Sequence, residues 1–385
     1  MLTRTLLAWE LTGEATSLAY INLVVAVPLI LASLLGGAIT DRVERRQLVI
    51  VGQALITSNE IFILTLLVLG ELQFWHMLCT AFVAGCAFPF IMPARIAITM
   101  KVVGPQRLQS AMGFQSGAMN LNRILGPAAM GLIVAQLSYN AAYYLSIALY
   151  SLAIFCMLGV DRSRSDESGA EKKPLLEDIA QGFSYIRANR PVLVCLLFGL
   201  LPMFLAMPFQ NILVMLAEQT WNVGESGVGT LMATGGVGGV VGALWVVKRG
   251  DDAGRMKLML GSTIAFGICL AVFVLTPVFA VALLPLLAAN VFANASQTVN
   301  NAAIQLLVED RMRGRMSSFM MLSFGLTPIG VFPMAIMADT FGAVSAILGA
   351  SVLLISITIV FFLLSKDLRA LDRSISEAML ARAAA

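Results

Sequence analysis

Two charged side chains stand where their surroundings are almost wholly apolar. Glu60 lies near the middle of the 47–70 run and Arg123 within the 108–136 run. An ionisable group inside a bilayer costs roughly 2.5–3.5 kcal/mol or more, so each needs a reason to be there. A carboxyl in such a place suits a proton carrier. The alternative for Glu60 is a structural hydrogen bond to Asn59 or to a neighbouring helix. Arg123 either holds an anionic ligand or is the fixed partner of a buried acid, and its expected place is a central cavity. Glu60 and Arg123 are therefore the candidates for proton coupling.

Uncharged polar residues form a second set. Asn290, Asn294, Gln297 and Asn301 fall at i, i+4, i+7 and i+11, so on a helix they share one face. A polar stripe against lipid is costly, which turns it inward, either to helix packing or to a water-filled cavity. Asn120, Arg123, Gln210, Asn211, Asn290, Asn294 and Gln297 are the candidate lining of a substrate cavity, with Phe204, Met207, Phe209, Phe292 and Phe324 as apolar neighbours. Catalysis is a poor match. One histidine and few acids assemble no catalytic residues, no metal cluster and no cofactor site. The five cysteines lack metal-ligand spacing and read as small core residues. No basic groove points to nucleic acid.

The elements that must position these groups follow from composition. Hydrophobic residues make up 59% of the 385 residues and charged residues 12%, against about 25% charged in a soluble domain. Lipid is therefore the solvent for most of the chain. A hydrocarbon layer of about 30 Å takes roughly 20 apolar residues as helix. Eleven runs qualify, near 17–40, 47–70, 73–99, 108–136, 140–160, 191–217, 226–247, 256–276, 279–305, 316–338 and 343–365. Leu2 to Leu11 is apolar but half a span long, and is expected to be part of an incomplete first helix, the alternative being a re-entrant stub. Alternate connectors carry nearly all the Lys and Arg, at 41–46, 101–107, 161–190, 248–257, 311–315 and the tail, which places those connectors and the C-terminus on the cytoplasmic side. The polar 161–190 stretch divides the chain into an N-terminal bundle (1–160), a linker with an amphipathic helix, a C-terminal bundle (191–366) and a cytoplasmic tail (367–385). Gly235 to Gly242, despite its glycines, lies inside an apolar run with no preceding strand, and is expected to be a close helix-packing face.

The two halves resemble each other weakly at an offset near two hundred residues, which suits parallel repeats about an axis along the membrane normal. Between the first two full spans stands Gly37-Ala-Ile-Thr-Asp41-Arg42-Val-Glu44-Arg45-Arg46. Gly37 permits close helix approach, and Asp41 can hold an arginine or the positive end of a helix. This loop resembles the signature of the major facilitator superfamily, with Glu44 where many members have glycine. Gly126-Pro127, with Gly131 beyond, resembles the fifth-helix signature of its exporters, where a bend is expected. Trp9-Glu10-Leu-Thr-Gly13, Pro93-Ala-Arg95 and Arg313-Gly-Arg315 resemble the branch that holds the enterobactin exporter and macrolide efflux proteins.

The resemblance implies an all-α membrane fold of two pseudo-symmetric six-helix bundles. It implies a conformational latch at Gly37, Asp41, Arg42, Arg45, Arg46 and Arg95, and a helix-bend motif at Gly126, Pro127 and Gly131. The expected function is proton-coupled efflux of a small organic molecule such as a drug, macrolide or siderophore, by a monomer in a bacterial inner membrane. The alternatives are uptake or lipid translocation on the same fold, or a non-transporting membrane scaffold.

Overall fold

Backbone polar groups find no partner in hydrocarbon, so an apolar chain of this kind must satisfy them within each segment, as helices do. The computed structural model describes residues 2–40, 44–104, 107–160, 183–249, 254–309, 312 and 327–383, and every regular element among them is helical. In chain order these are α1 (Leu2–Thr12), α2 (Ala15–Thr40), α3 (Arg45–Leu69), α4 (Phe74–Val103), α5 (Leu108–Gln136), α6 (Tyr139–Leu158), α7 (Arg190–Leu205), α8 (Gly224–Arg249), α9 (Arg255–Leu275), α10 (Phe279–Leu307), α11 (Pro328–Phe341), α12 (Ala343–Leu364), α13 (Lys366–Arg369) and α14 (Leu371–Ala383).

Among the described residues, nine helical stretches are long and apolar enough to cross a membrane. The other two predicted spans, 17–40 and 316–338, overlap the shorter apolar stretches Ala15–Leu31 of α2 and Pro328–Phe341. Large apolar side chains stay exposed along whole helix faces, as with Tyr144, Leu149, Leu152 and Phe155 on α6. Such a face is far too apolar for water and suits lipid. Two of the cysteines, Cys79 and Cys156, lie on exposed faces of this kind and not in the core expected of them.

The chain divides into two compact units, residues 1–172 with 224–230, and residues 173–223 with 231–385. In the first unit α2 and α3 both pack on α4, and α3 packs on α6. Gly85 makes the α2–α4 approach possible, since a Cβ there would run into the Val25 carbonyl oxygen. α1, short as it is, packs against α2, α4, α5 and α6, with Leu2, Leu6, Leu7 and Ala8 buried. In the second unit α9 packs on α10 and α12, and α7 on α10, α11 and α12.

The run predicted as one span over 191–217 is not a single helix. α7 stops at Leu205, and the chain continues as a 3-10 segment (Met207–Ile212), one α turn (Leu213–Leu216) and a π turn (Ala217–Trp221) that ends at Asn222 in the left-handed region. Pro202 and Pro208 each lack the N–H that would bond one turn back, which weakens the α pattern at this point. Aromatic contacts hold the broken stretch in place. Phe209 is buried within 6.5 Å of the Phe266 and Phe273 rings, and the Trp221 indole N–H donates to the Thr276 carbonyl at 3.1 Å.

Candidate functional site

The buried carboxylate of the first unit has a partner that sequence reading missed. Arg4 Nη2 donates to Glu60 Oε1 at 2.8 Å, with the two side chains 15% and 12% exposed. α1 presents Arg4 because Leu2, Leu6 and Leu7 anchor its apolar face, while Glu60 sits in the interior of α3. The signal was available, since Arg4 is the one basic residue in the apolar stretch Leu2 to Leu11. Asn59, the other partner considered for Glu60, turns to α4 instead and donates its amide to the Thr80 carbonyl at 3.0 Å.

Tyr143 completes this group. It is 1% exposed, packed with Leu7, Ile63, Leu64 and Met77. Its hydroxyl lies within electrostatic reach of both Arg4 and Glu60, approaching the Arg4 guanidinium without closing a full hydrogen bond to it. Tyr150, two turns further along α6, feels the same two charges.

The other predicted site residues fall in several places. Asp41 and Arg42 lie outside the described residues. Gly37 is in α2, and Arg45 begins α3. Arg46 closes the end of α6, donating from Nε to Met157 O at 3.1 Å and from Nη2 to Leu158 O at 2.7 Å. A cation at a helix C-terminus is favourable both as a hydrogen-bond donor and against the helix dipole. Arg95 is exposed on α4. Asn120 and Arg123 are in α5, but their side chains lie outside the described residues. α5 runs helical through Pro127 from Leu108 to Gln136. Gly131 is where residues 224–230 come close, since a Cβ on it would meet Glu225 O and Gly229 Cα at 2.8 Å.

In the second unit Gln210 and Asn211 fall in the 3-10 segment, Gln210 exposed and the Asn211 amide donating to Pro208 O at 3.4 Å. The amide stripe of α10 is not uniform. Asn290 is 3% exposed and donates to Leu286 O at 3.0 Å, and Asn294 donates to Asn290 O at 3.1 Å. Both face the glycines of α8. A Cβ on Gly238 would lie 2.7 Å from Asn290 Cβ, and one on Gly239 would lie 3.0 Å from Asn294 Nδ2. Further along, Gln297 and Asn301 are half-buried and share a hydrogen bond at 3.4 Å. Ser296, on another side of α10, meets Thr263 of α9 at 2.7 Å.

A family model described as "Transmembrane secretion effector" (MFS_3) matches residues 4–382. The chain belongs to this family of major facilitator transporters. Among curated proteins it is 24% identical to the Staphyloferrin A transporter of Staphylococcus aureus (strain NCTC 8325 / PS 47), over 92% of this chain and 89% of that one. It is 24% identical to Macrolide efflux protein A of Streptococcus pyogenes, over 94% and 90%. It is 22% identical to the Enterobactin exporter EntS of Escherichia coli O81 (strain ED1a), over 74% and 67%. The fold is that of the nucleoside transporter NupG, with a TM-score of 0.71 at 13% identity over 94% of this chain and 96% of that one. The family resemblance read from the loop and helix motifs thus holds along nearly the whole chain. This MFS_3 chain is a multi-pass membrane transporter of small molecules, not an enzyme, and its relatives are of efflux type.

Proposed function

We propose that this MFS_3 protein exports a small organic molecule across the bacterial cytoplasmic membrane by alternating access, in exchange for protons, and that Glu60 is a proton-exchanging group. The observation that carries the reading is the Arg4–Glu60 pair, held at 2.8 Å inside a unit otherwise built from apolar helices. Purely structural ion pairs in such surroundings gain little over apolar packing, because desolvation offsets the attraction. A pair retained there is better accounted for by work that needs a carboxylate able to give up and regain charge. The efflux-type relatives support the direction. In this reading the C-terminus is cytoplasmic, as the alternation of basic connectors argues, and the working unit is a monomer. The loop from Gly37 to Arg46, with Arg95, serves as the latch, Arg46 through its hold on the end of α6. Arg123, Asn120, Gln210, Asn211, Asn290, Asn294 and Gln297 contribute to the cargo path.

The test uses the full chain in proteoliposomes with a macrolide and a cationic dye as probes. Movement of a probe out of the compartment equivalent to the cytoplasm is expected to depend on an imposed pH gradient. Glu60→Gln, which keeps an acceptor for Arg4, is expected to abolish that dependence while leaving the protein folded. Movement indifferent to the gradient, or unchanged in Glu60→Gln, removes proton exchange at Glu60 from the mechanism.

A further inference from the structure

The Arg4–Glu60 contact leaves much of both groups unused. A guanidinium offers five N–H donors in a planar fork and stays charged. Nη2 donates to Oε1 of Glu60, and that one hydrogen bond leaves the rest of the fork, which also lies near the Tyr143 hydroxyl, and Oε2 outside it. Beside them the Tyr143 hydroxyl is buried with no hydrogen bond at all. Unspent buried polar groups are uncommon and call for an explanation. Here the Tyr143 hydroxyl is one, and it lies beside an Arg4–Glu60 pair whose side chains keep 15% and 12% exposure.

The arrangement has a definite chemical complement. The free edge of Arg4 and the Tyr143 O–H are donors, which fit the two oxygens of a carboxylate. The free Oε2 of Glu60 is an anionic acceptor, which fits an ammonium group. A bare carboxylate or phosphate would add an uncompensated negative charge to a site whose own charges already cancel, and that is costly away from water. A group carrying both charges adds none. The side chains packed with Tyr143, those of Leu7, Ile63, Leu64 and Met77, are apolar, which suits a hydrocarbon continuation of the same molecule.

We propose that Arg4, Glu60 and Tyr143 form a receptor for a zwitterionic amino-carboxylate group, the carboxylate held by Arg4 and Tyr143 and the ammonium by Glu60. This deepens the export reading and rests on it, because a proton on Glu60 removes the acceptor that the ammonium needs. Proton and cargo then exclude each other at one oxygen, which is what exchange requires.

The experiment measures equilibrium binding of L-leucine to the purified full chain in detergent. Two analogues are compared with it, 4-methylpentanoate, which lacks the ammonium, and 3-methylbutylamine, which lacks the carboxylate. Both analogues are expected to bind at least about tenfold more weakly, the usual scale for losing a charge-assisted hydrogen bond. Arg4→Gln and Glu60→Gln are expected to weaken leucine binding by about tenfold or more. Tyr143→Phe, which keeps the ring and its packing and so guards against misfolding, is expected to weaken it by about fivefold. Absence of leucine binding overturns the proposal. So does equal binding of leucine and 4-methylpentanoate, which marks a plain anion site, and so does a Tyr143→Phe protein indistinguishable from the parent. Gradient-driven export of the macrolide or dye without leucine binding sinks this inference and leaves the export reading standing; loss of both sinks the export reading itself.

Discussion

A guanidinium and a carboxylate 2.8 Å apart, each with less than a sixth of its side chain exposed, hold each other in position. Removing one partner of a buried pair typically costs about 3–5 kcal/mol, because the survivor stays charged with nothing to face. Reversing one partner is worse, since two like charges then meet. Arg4→Glu alone and Glu60→Arg alone are both expected to lower the thermal unfolding midpoint sharply, whereas the double reversal is expected to recover most of the loss. A double variant no more stable than either single one would show that the two side chains do not act as a pair. Glu60 was conspicuous in the sequence because charge inside a full-length apolar run is rare. Arg4 was not, because its segment is too short to count as a span. The separation of 56 positions between the two is bridged by tertiary packing, which no spacing rule reports. Tyr143 was harder still, since a tyrosine on an apolar helix is usually core and only its neighbours mark it out.

At the scale of elements, hydropathy located most of the described helices to within a few residues because the connectors change character abruptly. The 108–136 run and α5 coincide, and 279–305 became Phe279–Leu307. Hydropathy could not see the break after Leu205, since 3-10, α and π turns of Leu, Val and Met are equally apolar. The glycine run of α8 was legible as a packing face, but its partner was not. That partner is α10: a Cβ on Gly238 would meet Leu287 O at 2.6 Å, and one on Gly242 would run into Val291 O. A backbone oxygen cannot rotate away as a side chain can, so leucine at either position must push the helices apart. Such overpacking costs about 1–3 kcal/mol and often more. Gly238→Leu and Gly242→Leu are therefore expected to cut the yield of monodisperse protein on size-exclusion chromatography. Gly261→Ala on α9, where no atom lies within 4 Å of the added carbon, is expected to be neutral or to stabilise by about 0.5–1 kcal/mol. If Gly242→Leu ran as the parent does, the close approach of α8 to α10 would not be the contact that matters.

At the scale of the whole molecule, a two-part division was to be expected, since the only long polar stretch between spans separates two sets of apolar runs. The standing of the tail was not. Residues 367–385 read as a polar extension, yet Leu368, Leu371 and Ile375 are fully buried, in a cluster with Ile186, Val192, Cys195, Met259 and Val308. Asp372 adds a polar tie, accepting from the Met256 N–H at 3.1 Å at the start of α9. α14 therefore belongs to the core of the second unit, and its short amphipathic pattern gave the sequence no way to distinguish docking on protein from lying on a membrane. Ile375→Asp places a carboxylate with no partner in that cluster, which should release the helix. Cys195 reports on it: it is 0% exposed in the same cluster, and a variant retaining it as the sole cysteine should react slowly with a maleimide. In Ile375→Asp the reaction is expected to accelerate at least tenfold and the unfolding midpoint to fall. The exposed Arg373–Glu377 pair, 83% and 62% exposed, supplies the control, because surface pairs contribute little and its removal should leave both readouts unchanged. Should Cys195 stay protected in Ile375→Asp with the midpoint unmoved, the tail would be an appendage and the unit would close without it.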